Sequence, residues 1–237
     1  MWSPVASSPT GEEAISSGTK MSDGRCRADV GRKRKVKMNR AAWRKLVDIV
    51  AKRSYEYHDE PLKLASGGLS NHYVDCKKAL SYATARELLG DLILDAAEGI
   101  EFDAVGGPEL GAYPIGIAVS DAAYRRHRRE VRSFIIRKRP KPRGSKKNVE
   151  GDVSKADKVL IVDDVITRGE SIIKAVRKSR EEGFTVVGVV VIVDREQGGG
   201  KRNIEAEGVC IKAIMTLQDL ITTVNRGDEK CSCESGF

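Results

Sequence analysis

No apolar run in the 237 residues approaches the roughly 20 that a bilayer span requires, so no membrane crossing is expected. The N-terminus is rich in Ser, Gly and Thr and lacks an apolar core segment, which argues against a secretory signal. Five cysteines, at positions 26, 76, 210, 231 and 233, have no framework spacing, and their odd number argues against a disulfide scaffold. A reducing cytoplasm is the expectation. Cys231 and Cys233, on a polar tail, offer too few ligands for a closed zinc site. His58, His72 and His127 show no metal-ligand spacing, and no Ser-His-Asp or Cys-His arrangement is evident. Packing or exposed roles are therefore expected of the histidines.

What is present is a core and a strong, uneven charge. Hydrophobic residues at 40% support a buried interior, and the length suits one α/β domain with extensions. The net charge of +8 is concentrated: between Arg125 and Lys147 twelve Lys or Arg face the single acid Glu130. Such a patch asks for a polyanion, either a phosphorylated small molecule or RNA.

Along the chain, residues 1–38 mix Ser, Pro, Gly and Thr with a basic cluster at 32–37 and are expected to be a disordered extension, because they have too little apolar surface to offset ordering entropy. From Asn39, a good N-cap, Trp43, Leu46, Val47 and Val50 fall at helical spacing, predicting a helix that ends near Tyr55. Residues 62–75 alternate, turn on Gly67-Gly68 and alternate again, which predicts a hairpin-like flap. Leu80 to Ala97 reads as one helix, Phe102 to Gly106 as a short strand broken by glycine, Tyr113 to Ala123 as a helix and Val131 to Arg137 as a strand. Arg139 to Val153 is a long loop punctuated by Pro and Gly. The β-branched run Thr185 to Val193 suits a strand buried on both faces, Gly208 to Ile214 a last strand, and Thr216-Leu217-Gln218-Asp219 a capping box opening the final helix. The domain is expected to occupy 39–227, with a frayed tail at 228–237. Alternating strands and helices predict an α/β fold: a doubly wound, mostly parallel sheet flanked by helices, with a small N-terminal flap.

The chemistry gathers at 158–171. The run Lys158-Val159-Leu160-Ile161-Val162 ends in Asp163-Asp164, crosses Val165-Ile166-Thr167-Arg168-Gly169-Glu170-Ser171 and resumes with helical spacing at Ile172, Ile173 and Val176. That is strand, loop, helix. Unpartnered first-turn amides and the helix dipole suit a phosphate, and carboxylates at the strand end suit hydroxyls or a metal. A phosphate beside a diol is a sugar phosphate. A buried strand capped by solvated Asp would explain the apolar run and one Asp, but not Asp163, Asp164, Thr167, Gly169 and Ser171 together.

This stretch resembles the phosphoribosyl diphosphate (PRPP) motif of the type I phosphoribosyltransferases, and other stretches narrow the resemblance to the orotate phosphoribosyltransferases. Ser66-Gly67, Ser70 and Tyr73-Val74-Asp75 are similar to that family's base-covering flap, and residues 100–115 to its diphosphate loop and following helix. Arg137-Lys138-Arg139-Pro140-Lys141-Pro142-Arg143-Gly144 is similar to its mobile catalytic loop. The resemblance implies Mg²⁺-dependent transfer of phosphoribose from PRPP to orotate, in a homodimer whose catalytic loop is shared across subunits. It implies PRPP contacts from Arg137, Lys138, Lys141, Arg143 and residues 163–171 (Asp163, Asp164, Val165, Ile166, Thr167, Arg168, Gly169, Glu170, Ser171). Catalytic roles fall to Lys141, Asp163 and Asp164, with Asp163 and Asp164 also toward the metal, directly or through substrate, and orotate contacts to Thr167, Arg195 and Tyr73. The chain departs from the family in three places: Arg143 stands where His is usual, Leu110-Gly111-Ala112 replaces Tyr-Lys-Gly, and Ala65 occupies a place where some members carry Lys. A transferase for another nucleobase, and a PRPP-sensing regulator that binds nucleic acid, are the alternatives.

Overall fold

The computed structural model describes residues 38–64, 67–139 and 148–234, with side chains of the last stretch described as far as 226. The first helix, α1 (Arg40–Ser54), opens on Asn39, whose side chain accepts from the amides of Ala41 and Ala42 at 3.1 Å each. Its apolar stripe packs inward, and Trp43 Nε1 donates to the carbonyl of Ile214 at 2.7 Å. There is no linker after it: β1 (Tyr55–Lys63) starts at the next residue and pairs antiparallel with β2 (Leu69–Val74). The hairpin therefore begins seven residues before Leu62, where alternation predicts it. The polar segment Glu56 to Pro61 hides the strand from hydrophobic patterning, and the register shifts between Tyr57 and Leu62.

The helix predicted over 80–97 is two helices, α2 (Cys76–Leu80) and α3 (Ala83–Ala96). Asp75 caps α2 by accepting from Lys77 N at 3.2 Å, and Arg86 closes its far end by donating to the carbonyl of Leu80 at 2.7 Å. Next come β3 (Ala104–Pro108), α4 (Ala112–His127), β4 (Arg132–Ile136), β5 (Val149–Glu150) and β6 (Lys158–Ile166). They are followed by α5 (Glu170–Glu181), β7 (Thr185–Asp194), α6 (Gly200–Glu205), β8 (Ile211–Thr216) and α7 (Leu217–Glu234). Glycines 106 and 107, expected to break the third strand, lie inside it. A Cβ on Gly106 would sit 2.1 Å from the carbonyl oxygen of Phe134, so glycine there permits close packing of β3 on β4. The predicted capping box forms: Thr216 Oγ1 donates to Asp219 Oδ2 at 2.8 Å and accepts from Asp219 N at 3.2 Å. The helix it opens continues to Glu234, beyond the fraying expected near Gly227. β5 lies in the segment that read as a loop, and α6 in one where the sequence pattern predicted no element.

The main sheet has the order β5-β4-β3-β6-β7-β8, parallel except for β5 on β4. From β3 the chain steps outward to β4, and β6 then returns to the other side of β3 before β7 and β8 continue away. That reversal puts the topological switch between β3 and β6, and open α/β sheets bind ligands beyond the strand ends at such a point. Side chains of β6 alternate between two cores. Leu160 and Val162 join the cluster under α1, α3 and α4, and Val159 and Ile161 join the cluster under α5 and α6. Burial on both faces accounts for the β-branched runs of β6 and β7. No helix among the described residues is long and apolar enough to cross a membrane.

Much of the basic stretch that read as a polyanion surface is spent inside the molecule. Arg125 pairs with Asp91 at 2.9 Å, Arg126 with Asp95 at 2.9 Å and Arg132 with Asp157 at 3.0 Å. Arg129 lies over the Phe102 ring and donates to its carbonyl at 2.7 Å. These exposed pairs add little stability.

Candidate functional site

The alternation that sorts β6 between two cores also sorts its terminal acids. Asp163 continues the Val159, Ile161 side and faces α5: its Oδ2 accepts from Ser171 Oγ at 3.0 Å and its Oδ1 from Asp164 N at 3.0 Å. Only 5% exposed, its carboxyl is pushed up to about 7, first by burial and then by the neighbouring Asp164. Asp164 continues the Leu160, Val162 side and faces the turn between β3 and α4, where a Cβ on Gly111 would meet its Cγ at 2.8 Å. Its Oδ1 accepts from Val165 N at 2.8 Å.

Beyond the acids the chain turns at Gly169 with φ 78°, a left-handed conformation that favours glycine. A side chain there would also press on Ile204, at 2.9 Å, and on the carbonyl of Gly200, at 3.0 Å, which α6 holds against the loop. No side chain caps α5, so its first amides are open to an anion. Those amides open onto a cavity of ≈ 520 Å³. Pro108, Ile136 and residues 165–171 line it, together with the cations Arg137, Lys138, Arg168, Lys174 and Lys178. Lys178 also holds the root of the basic loop, donating to the carbonyl of Arg137 at 2.7 Å, while Glu109 Oε1 accepts from Lys138 N at 2.8 Å.

Arg195 lies at the end of β7, beside β6, and is 4% exposed. Its Nη2 donates to Ser70 Oγ at 2.8 Å and to the carbonyl of His72 at 3.0 Å, drawing the hairpin onto the strand ends. Nη1 has no partner among the described residues. Burial lowers the guanidinium's pKa from its ordinary value, though the group stays charged. Tyr73 does not share this face. Side chains alternate along β2, and Tyr73 lies with Glu56 on the opposite side, its ring edge-on to His58 at 6.5 Å. The Tyr73 side chain thus lies on the face of β2 away from Ser70.

The structure thus brings Asp163, Asp164, residues 165–171, Arg137 and Lys138 around one switch point, with Arg195 one strand away. Lys141 and Arg143 lie outside the described residues. Four residues at the site were not singled out in the sequence. Lys174 and Lys178 share a face of α5 at i, i+4, a signal legible once α5 is placed. Lys77 pairs with Asp75 at 2.6 Å, and its pKa is raised by that hydrogen bond with a smaller contribution from Asp164; only the folded proximity of α2 and β6 reveals it. Glu109 likewise needs the fold. Among the described residues no three His, Cys, Asp or Glu side chains converge on a metal position.

The model of the phosphoribosyl transferase domain family matches residues 77–216. Orotate phosphoribosyltransferase of Aquifex aeolicus is 38% identical over 178 residues, covering 75% of this chain and 96% of that protein. The enzyme of the same name from Pyrococcus abyssi is 41% identical over 159 residues, covering 66% of this chain and 84% of its own. Among solved structures, Mycobacterium tuberculosis orotate phosphoribosyltransferase in complex with PRPP superposes with a TM-score of 0.61 at 28% identity, covering 76% of this chain and 92% of that one.

Proposed function

The chain belongs to the orotate phosphoribosyltransferase family, and from that premise we propose that it is a transferase moving phosphoribose from PRPP to orotate, giving orotidine 5′-phosphate and diphosphate in pyrimidine synthesis. One observation carries the reading: a strand with two carboxylates near its C-terminal end abuts an uncapped helix N-terminus at the sheet's switch point. The 5′-phosphate sits on the amides of Thr167 to Ser171, and Asp163 and Asp164 take the ribose hydroxyls. Breaking the C1–O bond to diphosphate leaves positive charge on the ribose and negative charge on the leaving group. The carboxylates answer the first, and Arg137 and Lys138, with Lys141 and Arg143, answer the second. Orotate lies at the β7 end, its carboxylate on Arg195 Nη1 and its ring beside Thr167.

Mg²⁺ fits this donor set. Asp163 commits both oxygens internally and Asp164 commits Oδ1, so the protein would supply few ligands and the substrate the rest, the sparse ligation that Mg²⁺ tolerates. When bound, the ion would neutralise the diphosphate. The transferase unit spans 39–227, works as a homodimer with the basic loop reaching the neighbouring site, and resides in the cytoplasm, consistent with a buried Cys76 that forms no disulfide.

Orotate absorbance followed with PRPP and Mg²⁺, and repeated with uracil and purine bases, tests the reading. Loss of orotate signal alone is expected, and an unchanged signal at high enzyme would overturn the assignment. In the same assay Lys141→Ala should lose most turnover while PRPP binding stays within about tenfold, because the loop acts on the leaving group in the transition state. Near-parental turnover would remove the loop from the mechanism.

A further inference from the structure

The loop that follows β6 must dispose of its carbonyls before it can offer its amides. Those of Ile166, Thr167 and Arg168 are taken, one after another, by the segment that follows β7. Arg195 N donates to Ile166 O at 3.1 Å, and Gly200 N to Thr167 O at 3.1 Å. Asn203 Nδ2 donates to Arg168 O at 3.0 Å and reaches Gly198 O at 3.5 Å. Both partners of the Asn203 side chain are carbonyls, so its carboxamide must present the nitrogen to them. The next carbonyl, that of Gly169, accepts from Ile173 N at 2.9 Å and belongs to α5. A trans peptide plane points its N–H opposite to its C=O. Holding three successive carbonyls against β7 and α6 therefore turns the amides of Thr167, Arg168 and Gly169 away from those elements, and amides arranged in this way form an anion-binding concavity. The same three residues line the cavity.

The fit is tightest at Gly200, which is buried. A Cβ there would lie 2.5 Å from Thr167 O and 3.2 Å from Gly169 N, so any side chain would push the peptide that Gly200 holds. Asn203 is exposed, and water can replace it on Arg168 O, but water does not anchor that peptide to α6. We propose that Gly200 and Asn203 are positioning residues for the sugar 5′-phosphate, acting through the loop: they hold its carbonyls back so that its amides face the phosphate. This rests on the placement of that phosphate on Thr167 to Ser171 given above, and it makes α6 part of the phosphate site.

Two dissociation constants, measured by calorimetry on the full chain, test this: ribose 5-phosphate needs the phosphate seat, and inorganic diphosphate needs the leaving-group side. Asn203→Leu keeps the bulk and removes the donor, and should weaken ribose 5-phosphate about fivefold with diphosphate within about twofold. Gly200→Ala should weaken ribose 5-phosphate about tenfold, again sparing diphosphate, because the added methyl displaces the Thr167 peptide. Asn203→Gln returns a carboxamide donor on a longer stem and should recover part of the loss. Ribose 5-phosphate affinity within about twofold of the parent in either Asn203→Leu or Gly200→Ala would overturn the role of the residue changed and leave the PRPP reading standing. Equal losses for both ligands, the pattern of a site disordered as a whole, would overturn the positioning role too. A parent chain that binds neither ligand would overturn the placement of the phosphate itself. Neither probe carries a base, so the outcome does not depend on orotate being the acceptor.

Discussion

In metal-free protein at pH 8, Asp163→Asn should unfold at a higher temperature than the parent chain, although its turnover should fall by about a hundredfold or more. The stability gain comes from the environment of Asp163. Its folded carboxyl is raised to about 7, so between the usual carboxylate range and neutrality the folded protein holds a proton that the unfolded chain has released. The stability this confers is fully present below the unfolded pKa and is lost as pH rises through about 7, with a slope of at most about 1.4 kcal/mol per pH unit. An amide never ionises, so the variant should lose that slope. It keeps one oxygen to accept from Asp164 N, and Ser171 can turn its hydroxyl to accept from the new amide. Melting curves from pH 5 to 8 for both chains decide the matter: parallel slopes would show that Asp163 is ionised throughout. Turnover falls because a neutral amide cannot answer the positive charge that develops on the ribose.

Arg195→Ala should raise the orotate KM about a hundredfold while changing the PRPP KM little, since a charge-assisted hydrogen bond lost from a carboxylate is worth about 1.5–3 kcal/mol. It should also loosen the hairpin, because Nη2 joins β2 to the end of β7 through Ser70 and His72. Hydrogen exchange at the amides of Ser70 to His72 reads the second effect separately from the first. Arg195→Lys separates them further: a single ammonium can reach either the hairpin or the substrate, but it lacks the planar fork that serves both. Protection unchanged in both variants, with orotate KM near the parental value, would mean that the guanidinium serves neither partner.

These residues differ in how much of their role shows in the one-dimensional chain. Residues 158–171 are legible because their structure is local: the strand, the left-handed turn at Gly169 and the helix start follow one another, and no distant partner is needed to recognise them. Arg195 is legible because it follows a strand whose β-branched run announces burial. The face that Tyr73 occupies is not legible, because a strand's two faces cannot be told apart without knowing what it packs on, and the polar sequence from Glu56 to Pro61 gives no hydrophobic face to set the register. The break between α2 and α3 is hidden for the opposite reason, since Leu80 and Leu88 are both apolar and a helical stripe runs through the joint in phase. The arginines from 125 to 132 looked available for a polyanion because their acids, Asp91, Asp95 and Asp157, come from other parts of the chain.

Ser54 is the last residue of α1 and the residue before the hairpin, and it is fully buried. Its carbonyl accepts from Asp75 N at 2.8 Å and its hydroxyl from Ala79 N at 3.1 Å, so both ends of the hairpin are riveted to one side chain and one peptide unit. Since α1 is itself fastened through Trp43 to β8, the outermost strand on that side, the hairpin is a cantilever whose mount is at the far edge of the sheet. Where the hairpin sits relative to the end of β7 is thus set partly by packing on the β8 edge, at the opposite end of these links.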